Sequence, residues 1–202
     1  MSVAVITYTG LMVRWEADGR DRLAKAALEL YAARGFDETT VAEIARAAGL
    51  TERTFFRHFA DKREVLFGGQ DQFQRRFVEA IAAAPDGATP LAIIAEGVLE
   101  GSAFFSLEHR PYSLQRQSVI DAHPELRERE LLKMAALARA LATALRARDV
   151  SDPAATLAAE SGVIVFRLAW EQWLADGNTR SLVDLEREAF TQLGTLVGTV
   201  GS

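Results

Sequence analysis

The sequence predicts an all-α protein of about nine helices, and three observations carry that reading. Strand signals are almost absent. Apolar residues recur at helical spacing in one segment after another. The segments are punctuated by short turns and by residues of the capping type.

Taken in order, Leu23, Ala27, Leu30 and Tyr31 form the apolar stripe of a first helix, which Gly35-Phe36 ends. Thr39 or Thr40 can cap a short second helix with Val41, Ile44, Ala45 and Ala48 on one face, and Gly49 breaks it. Thr51 can cap a third, bearing Phe55 and Phe59 one turn apart. Asp61 is expected to cap a fourth that runs through Gly68-Gly69, with Val65, Leu66, Phe73 and Phe77 on its apolar side. After the turn Pro85-Asp86-Gly87, a fifth helix is expected from about Thr89 to Phe105. His109-Arg110-Pro111 and His123-Pro124 punctuate the next elements, and a long helix extends from Glu125 to about Arg148. Ser151-Asp152-Pro153 opens another helix with proline at its favoured first position. Asp176-Gly177-Asn178 is a turn, and a last helix covers about Ser181 to Val197.

Composition narrows the function class. With 202 residues, 49% of them hydrophobic and 25% charged, the chain can bury a core and is not disordered overall. The absence of cysteine excludes disulfides, thiolate metal sites and cysteine nucleophiles, and fits a reducing, cytoplasmic location. No apolar run approaches the ~18 residues that span a bilayer, so no membrane partner is expected. Residues 3–13 are apolar but lack a basic leader and a small-residue cleavage site, which argues against a secretory signal. Met12 offers a second start, and residues 1–17 are expected to be a tail. The net charge of −5 is unevenly spread: residues 14–76 carry 12 basic and 11 acidic side chains, against 11 and 17 in residues 77–202. A near-neutral N-terminal part can still present a basic face to nucleic acid.

The most informative stretch is Thr40 to Phe59, TVAEIARAAGLTERTFFRHF. It reads as a two-turn helix, a glycine turn and a second short helix, which is a helix-turn-helix. Ala45 and Ala48 let the helices cross closely, Gly49 tolerates the positive φ of the turn, and Leu50, Phe55 and Phe59 anchor the second helix. Consecutive helix positions cannot share a face, so of Phe55 and Phe56 one is expected outside. The outer face then carries Glu52, Arg53, Phe56 and Arg57, and such a helix fits the major groove.

At these residues the sequence resembles the TetR family. The resemblance rests on Gly35-Phe36, Thr39-Thr40, Ile44-Ala45, Ala48-Gly49, Thr54, His58-Phe59, Lys62 and Leu66. Arg53 stands where the family usually has a small residue, and Phe56 where it usually has a tyrosine that reaches a phosphate. The resemblance implies a repressor that binds operator DNA as a homodimer, with a DNA-binding domain at 18–64 and a helical ligand-binding and dimerisation domain at 65–202. The candidate DNA contacts are Thr40, Thr51, Glu52, Arg53, Thr54, Phe56, Arg57, His58 and Lys62.

In the C-terminal part, Phe104, Phe105, Tyr112, Phe166, Trp170 and Trp173 are candidates to line an apolar cavity for a small, largely apolar effector, with Arg116 as a polar anchor. Plain core packing competes with that reading at each position. Ala155, Ala158 and Gly162 form a small-residue face that, with Phe190, Leu193 and Val197, could build a dimer interface. No cofactor or metal is expected, and no nucleophile elbow, P-loop, dinucleotide or zinc-protease motif occurs, so an enzyme is not expected; a helical protein-interaction adaptor is the alternative reading.

Overall fold

The computed structural model describes the backbone of residues 7–198 and the side chains of residues 19–198. Nine α-helices and one 3-10 turn occur among these residues, with no strand. They divide into two compact units. Among the described residues, the first comprises 7–68 and 115–127, the second 69–114 and 128–198.

The first unit holds α1 (Thr7–Arg34), α2 (Val41–Ala47), α3 (Glu52–His58) and the 3-10 turn Glu64–Phe67. Its core gathers Leu23, Ala27, Tyr31, Phe36, Ile44, Ala45, Phe55, Phe59 and Val65, together with Val119, Ile120 and Leu126 from the returning segment. Helix α1 extends into the stretch expected to be tail, while residues 1–6 of that stretch lie outside the described residues.

The expected fourth helix is broken. Asp61 does not cap a helix: its carboxylate accepts from the backbone N–H of Arg63 and Glu64 in the turn that leads into the 3-10 turn Glu64–Phe67, whose N-cap position is Arg63. The regular helix α4 (Gln70–Ala83) begins after Gly68-Gly69. Two adjacent glycines disfavour helix continuation, and Gly68 sits hard against the Phe59 ring, where a side chain would collide. The division between the compact units falls at this break. Residues 115–127 also belong to the first unit, whereas the sequence placed them in a continuous C-terminal domain.

The second unit contains α4, α5 (Pro90–Ser102), the start of α6 (Arg110–Ala122), most of α7 (Pro124–Arg146), α8 (Asp152–Leu174) and α9 (Leu182–Gly198). Thr89 caps α5 by accepting from the Ala92 N–H, with Pro90 at the first helical position. The core runs from Phe77, Ile81, Ile94 and Val98 through Leu137 and Leu141 to Val163, Phe166, Trp173 and Leu185. Arg110 ties down the end of α8, donating to the carbonyls of Trp173, Leu174 and Ala175. This satisfies carbonyls that a helix C-terminus leaves open. No described helix is long and apolar enough to cross a membrane.

Candidate nucleic-acid interface and regulatory site

The helix-turn-helix is built by short-range chemistry. Thr40 and Glu43 form a reciprocal capping box at the start of α2: the Glu43 N–H donates to Thr40 Oγ1, and the Thr40 N–H donates to Glu43 Oε2. The hydrogen bond from the Thr40 backbone is the main reason that the Glu43 carboxyl is held below its ordinary pKa. In the turn, Gly49 takes φ +66°, and the Leu50 N–H closes onto the Ala45 carbonyl at 2.8 Å. Arg22 of α1 donates to the Ala48 carbonyl, which leaves no room for a side chain at Gly49. Thr51 then caps α3 by accepting from the Thr54 N–H at 3.2 Å, and the two threonine hydroxyls are hydrogen-bonded to each other.

Helix α3 separates its neighbours cleanly. Phe55 is wholly buried, packed on Phe59 at 5.6 Å between centroids, while Phe56 is 56% exposed. Glu52, Arg53 and Arg57 share the exposed side with Phe56. This surface offers two guanidiniums, a carboxylate and an aromatic ring on one short, firmly capped helix.

The other candidates sit differently. Thr40, Thr51 and Thr54 are exposed or half-buried; the side chains of Thr40 and Thr51 already serve as caps, and the Thr54 hydroxyl is hydrogen-bonded to that of Thr51. His58 is half-buried and turned toward the middle of α1, its Nε2 3.5 Å from where a side chain at Gly19 would begin. Lys62 does not open a helix, as the sequence suggested, but precedes the 3-10 turn. Its ammonium donates to the carbonyls of Phe36, Asp37 and Thr39 and lies 4.3 Å from the Phe36 ring centroid. Three donors engaged by backbone make it a brace for the α1–α2 connection rather than a phosphate contact.

In the second unit the aromatic candidates pack on one another instead of lining an open cavity. Phe166 stacks on Trp170 at 5.8 Å, Phe105 meets Trp170 edge-on at 4.9 Å, and Trp170 lies 5.1 Å from Trp173. Phe73 and Phe77 complete the group. Phe104 and Tyr112 are each 45% exposed, so neither is enclosed. Arg116 belongs to the first unit, where it donates to the Leu66 carbonyl and covers the Phe67 ring. A pocket of about 820 Å³ opens elsewhere in this unit, among Ala82, Asp86, Pro90, Ile93, Arg148 and Ala154.

Sequence reasoning missed three polar groups. Ser102 and Glu186 are wholly buried, and the Trp173 indole N–H is buried; none has a hydrogen-bond partner of normal geometry. Sequence reasoning also misplaced the outward face of α8. Ala155, Ala158, Gly162 and Phe190, expected at a dimer surface, are buried within their own unit, with Gly162 hard against Ile94 and Val98 of α5. Leu193 is half-buried and Val197 exposed. The apolar surface is instead Leu157, Ile164 and Leu168 on α8, with Leu196 and Val197 at the end of α9.

Residues 23–67 match the family model described as bacterial regulatory proteins of the tetR family, and residues 88–197, more than half of the chain, match the MftR C-terminal domain of TetR-type regulators. The chain belongs to the TetR family. That family is one of transcription regulators, not of enzymes. The chain is 43% identical to the HTH-type transcriptional regulator TcmR of Streptomyces glaucescens over 82 residues, which are 41% of this chain and 36% of TcmR. The match thus spans about a third of that relative. Among solved structures, a protein of Mesorhizobium loti described as a TetR-family transcriptional regulator superposes with a TM-score of 0.58 at 19% identity, covering 91% of this chain and 97% of the other. The TetR-family repressor FadR of Thermus thermophilus, solved with lauroyl-CoA, gives 0.51 at 24% identity, covering 86% and 92%. Both likenesses speak to the fold of this TetR-family chain.

Proposed function

We propose that this TetR-family regulator is a ligand-responsive repressor that binds a palindromic operator as a homodimer. The observation that carries it is the outward face of α3, where Glu52, Arg53, Phe56 and Arg57 stand together on a helix capped by Thr51. A helix of seven residues reads only a few base pairs, so useful specificity needs a second copy on a second half-site. Two-fold pairing fits the apolar stripe of α8. Leu157, Ile164 and Leu168 lie at i, i+7 and i+11, which keeps them on one line along the helix, and all three are exposed. Such a face buries itself against an identical helix. Responsiveness to a ligand is supported by the aromatic group of the second unit, and FadR, of the same fold, is described with a small molecule bound.

The test is a gel shift on the DNA upstream of its own gene, with light scattering of the free protein. Protection of an inverted repeat with half-site centres about one helical turn, or a near multiple, apart is expected. A stable monomer at micromolar concentration, or equal affinity for random DNA, would overturn the reading.

A further inference from the structure

The buried polar groups of the second unit serve neither DNA binding nor pairing. Glu186 on α9, Ser102 at the end of α5 and Trp173 near the end of α8 are all wholly buried in an otherwise apolar core. Neither oxygen of the Glu186 carboxyl, nor the Ser102 hydroxyl, nor the Trp173 indole N–H makes a hydrogen bond of normal geometry. Burial pushes the Glu186 carboxyl up to about 8, and the nearby Ser102 hydroxyl draws it back only in part. A buried polar group left without a partner is costly, and a buried acid more so.

The packed rings near these groups run from exposed to buried. Phe104 is exposed, Phe105 and Trp170 are half-buried, and Trp173 is wholly buried. Phe105 joins the two ends of this run: its N–H bonds to the Ser102 carbonyl, and its ring lies 4.9 Å from Trp170 and 6.2 Å from Trp173. Of the nearby cations, Arg110 is spent on the α8 carbonyls and Arg76 lies over the Phe104 ring, 4.9 Å from its centroid; neither reaches Glu186. An acid without a cation, joined through Ser102 to the segment that carries the Phe105 ring, offers a charge-assisted hydrogen bond to an ammonium once it gives up its proton, and the rings beyond offer cation–π attraction. An anion has no such gain, since it cannot take the proton's place as the carboxylate's partner.

We infer that the effector of this regulator is a flat aromatic or alkyl-aromatic amine, whose ammonium is taken up by Glu186 with help from Ser102 and whose body displaces the mutual packing of Phe105, Trp170 and Trp173. The inference rests on the reading of the second unit as the effector domain. It adds to that reading the sign of the ligand's charge and the residue that reads it.

Three probes of one shape decide it: 1-naphthylmethylamine, 1-naphthylmethanol and 1-naphthoate, titrated calorimetrically into the full-length protein at pH 7. The amine is expected to bind at least about tenfold tighter than the alcohol, and the carboxylate weakest. Glu186→Gln should bring the amine down to the alcohol's affinity. Glu186→Leu is the second variant, since an apolar side chain suits this core, and it should erase the same preference. Equal binding of amine and alcohol, a preference for naphthoate, a preference that survives in both variants, or no binding of any probe at millimolar concentration would overturn the inference and leave Glu186 a protonated core residue. Failure of the underlying reading shows separately, as an amine that binds through Glu186 but does not change the gel shift on the protein's own upstream DNA.

Discussion

The Lys62 ammonium lies 2.8 Å from the carbonyl oxygen of Phe36 and 4.3 Å from the centroid of the same residue's ring. The two contacts, with those to Asp37 and Thr39, fasten the connection that delivers α2 to the motif. Tyr31 closes the other side by donating its hydroxyl to the Lys62 carbonyl at 2.6 Å. Lys62→Met removes three charge-assisted hydrogen bonds while keeping the aliphatic stem. It should cost about 1–3 kcal/mol of stability, read as a lower midpoint in urea. The salt dependence of DNA binding should keep its slope. A direct phosphate contact would instead lower that slope by about one, which would return Lys62 to the DNA-contacting set.

Arg53 and Phe56 test the face of α3. If Arg53 reads a guanine edge, Arg53→Ala should cost about 1–3 kcal/mol on the operator, relax one base position and leave random DNA almost unaffected. Equal losses on both DNAs would assign it to the backbone. Phe56→Tyr adds a hydroxyl on the exposed side and should gain about 0.5–1.5 kcal/mol through a phosphate hydrogen bond. A loss of operator affinity would mean that the ring itself contacts the DNA, as it would against a thymine methyl.

How much of this was legible in the sequence depended on the range of the interactions. The helix-turn-helix could be read because each determinant is local. Thr40 and Glu43 are three residues apart, Thr51 and Thr54 likewise, and Gly49 carries its own φ. The outer and inner faces followed from periodicity, which set Phe55 inside and Phe56 out. Helix α8 defeated the same method. Its run Gly162-Val-Ile-Val-Phe166 is apolar all round, so periodicity could not say which stripe faces its own unit. Small residues suggested an outer seam, but Gly162 is where α5 comes closest. Glu186 was invisible for the opposite reason. Between Asp184, Arg187 and Glu188 it reads as one more charge on a solvated face, and only the packing of α9 against α5 and α8 buries it. Arg116 and Lys62 were assigned by type, as cations seeking anions, whereas both spend their donors on carbonyls.

The stripe on α8 gives a direct test of self-association. Ile164→Glu with Leu168→Glu places two charges on an exposed apolar line without touching the inward face. The double variant should fold normally by circular dichroism, sediment as a monomer at micromolar concentration and lose the operator while keeping weak half-site binding. Two buried like charges at a two-fold contact leave few ways to repair the pairing. A variant that stays dimeric would move the interface off this stripe. Ala158→Glu is the contrasting substitution: it points into the unit and should unfold it rather than separate subunits.

Glu186 also sets a pH dependence whose sign is unusual for a carboxylate. Burial pushes it up to about 8, against an ordinary value of 4.5 in the unfolded chain. Between those values the folded protein holds a proton that the unfolded chain has released. Its contribution is therefore fully present below about pH 4.5 and is lost as pH rises through about 8. A tenfold difference in proton affinity between the two states is worth about 1.4 kcal/mol, so the loss is on the order of a few kcal/mol. Glu43, Asp61 and Asp184 are shifted the other way, and their stabilising effect is lost only as pH falls below the ordinary carboxylate range. The two windows barely overlap, and a variant isolates the first. Glu186→Gln keeps the shape and cannot ionise. Compared with the wild type by urea unfolding, it should be near-neutral or less stable at pH 5 and clearly more stable at pH 8.5. Parallel stability curves for the two proteins across that range would mean that Glu186 ionises as easily folded as unfolded, and that its burial is relieved by water or by motion of α9.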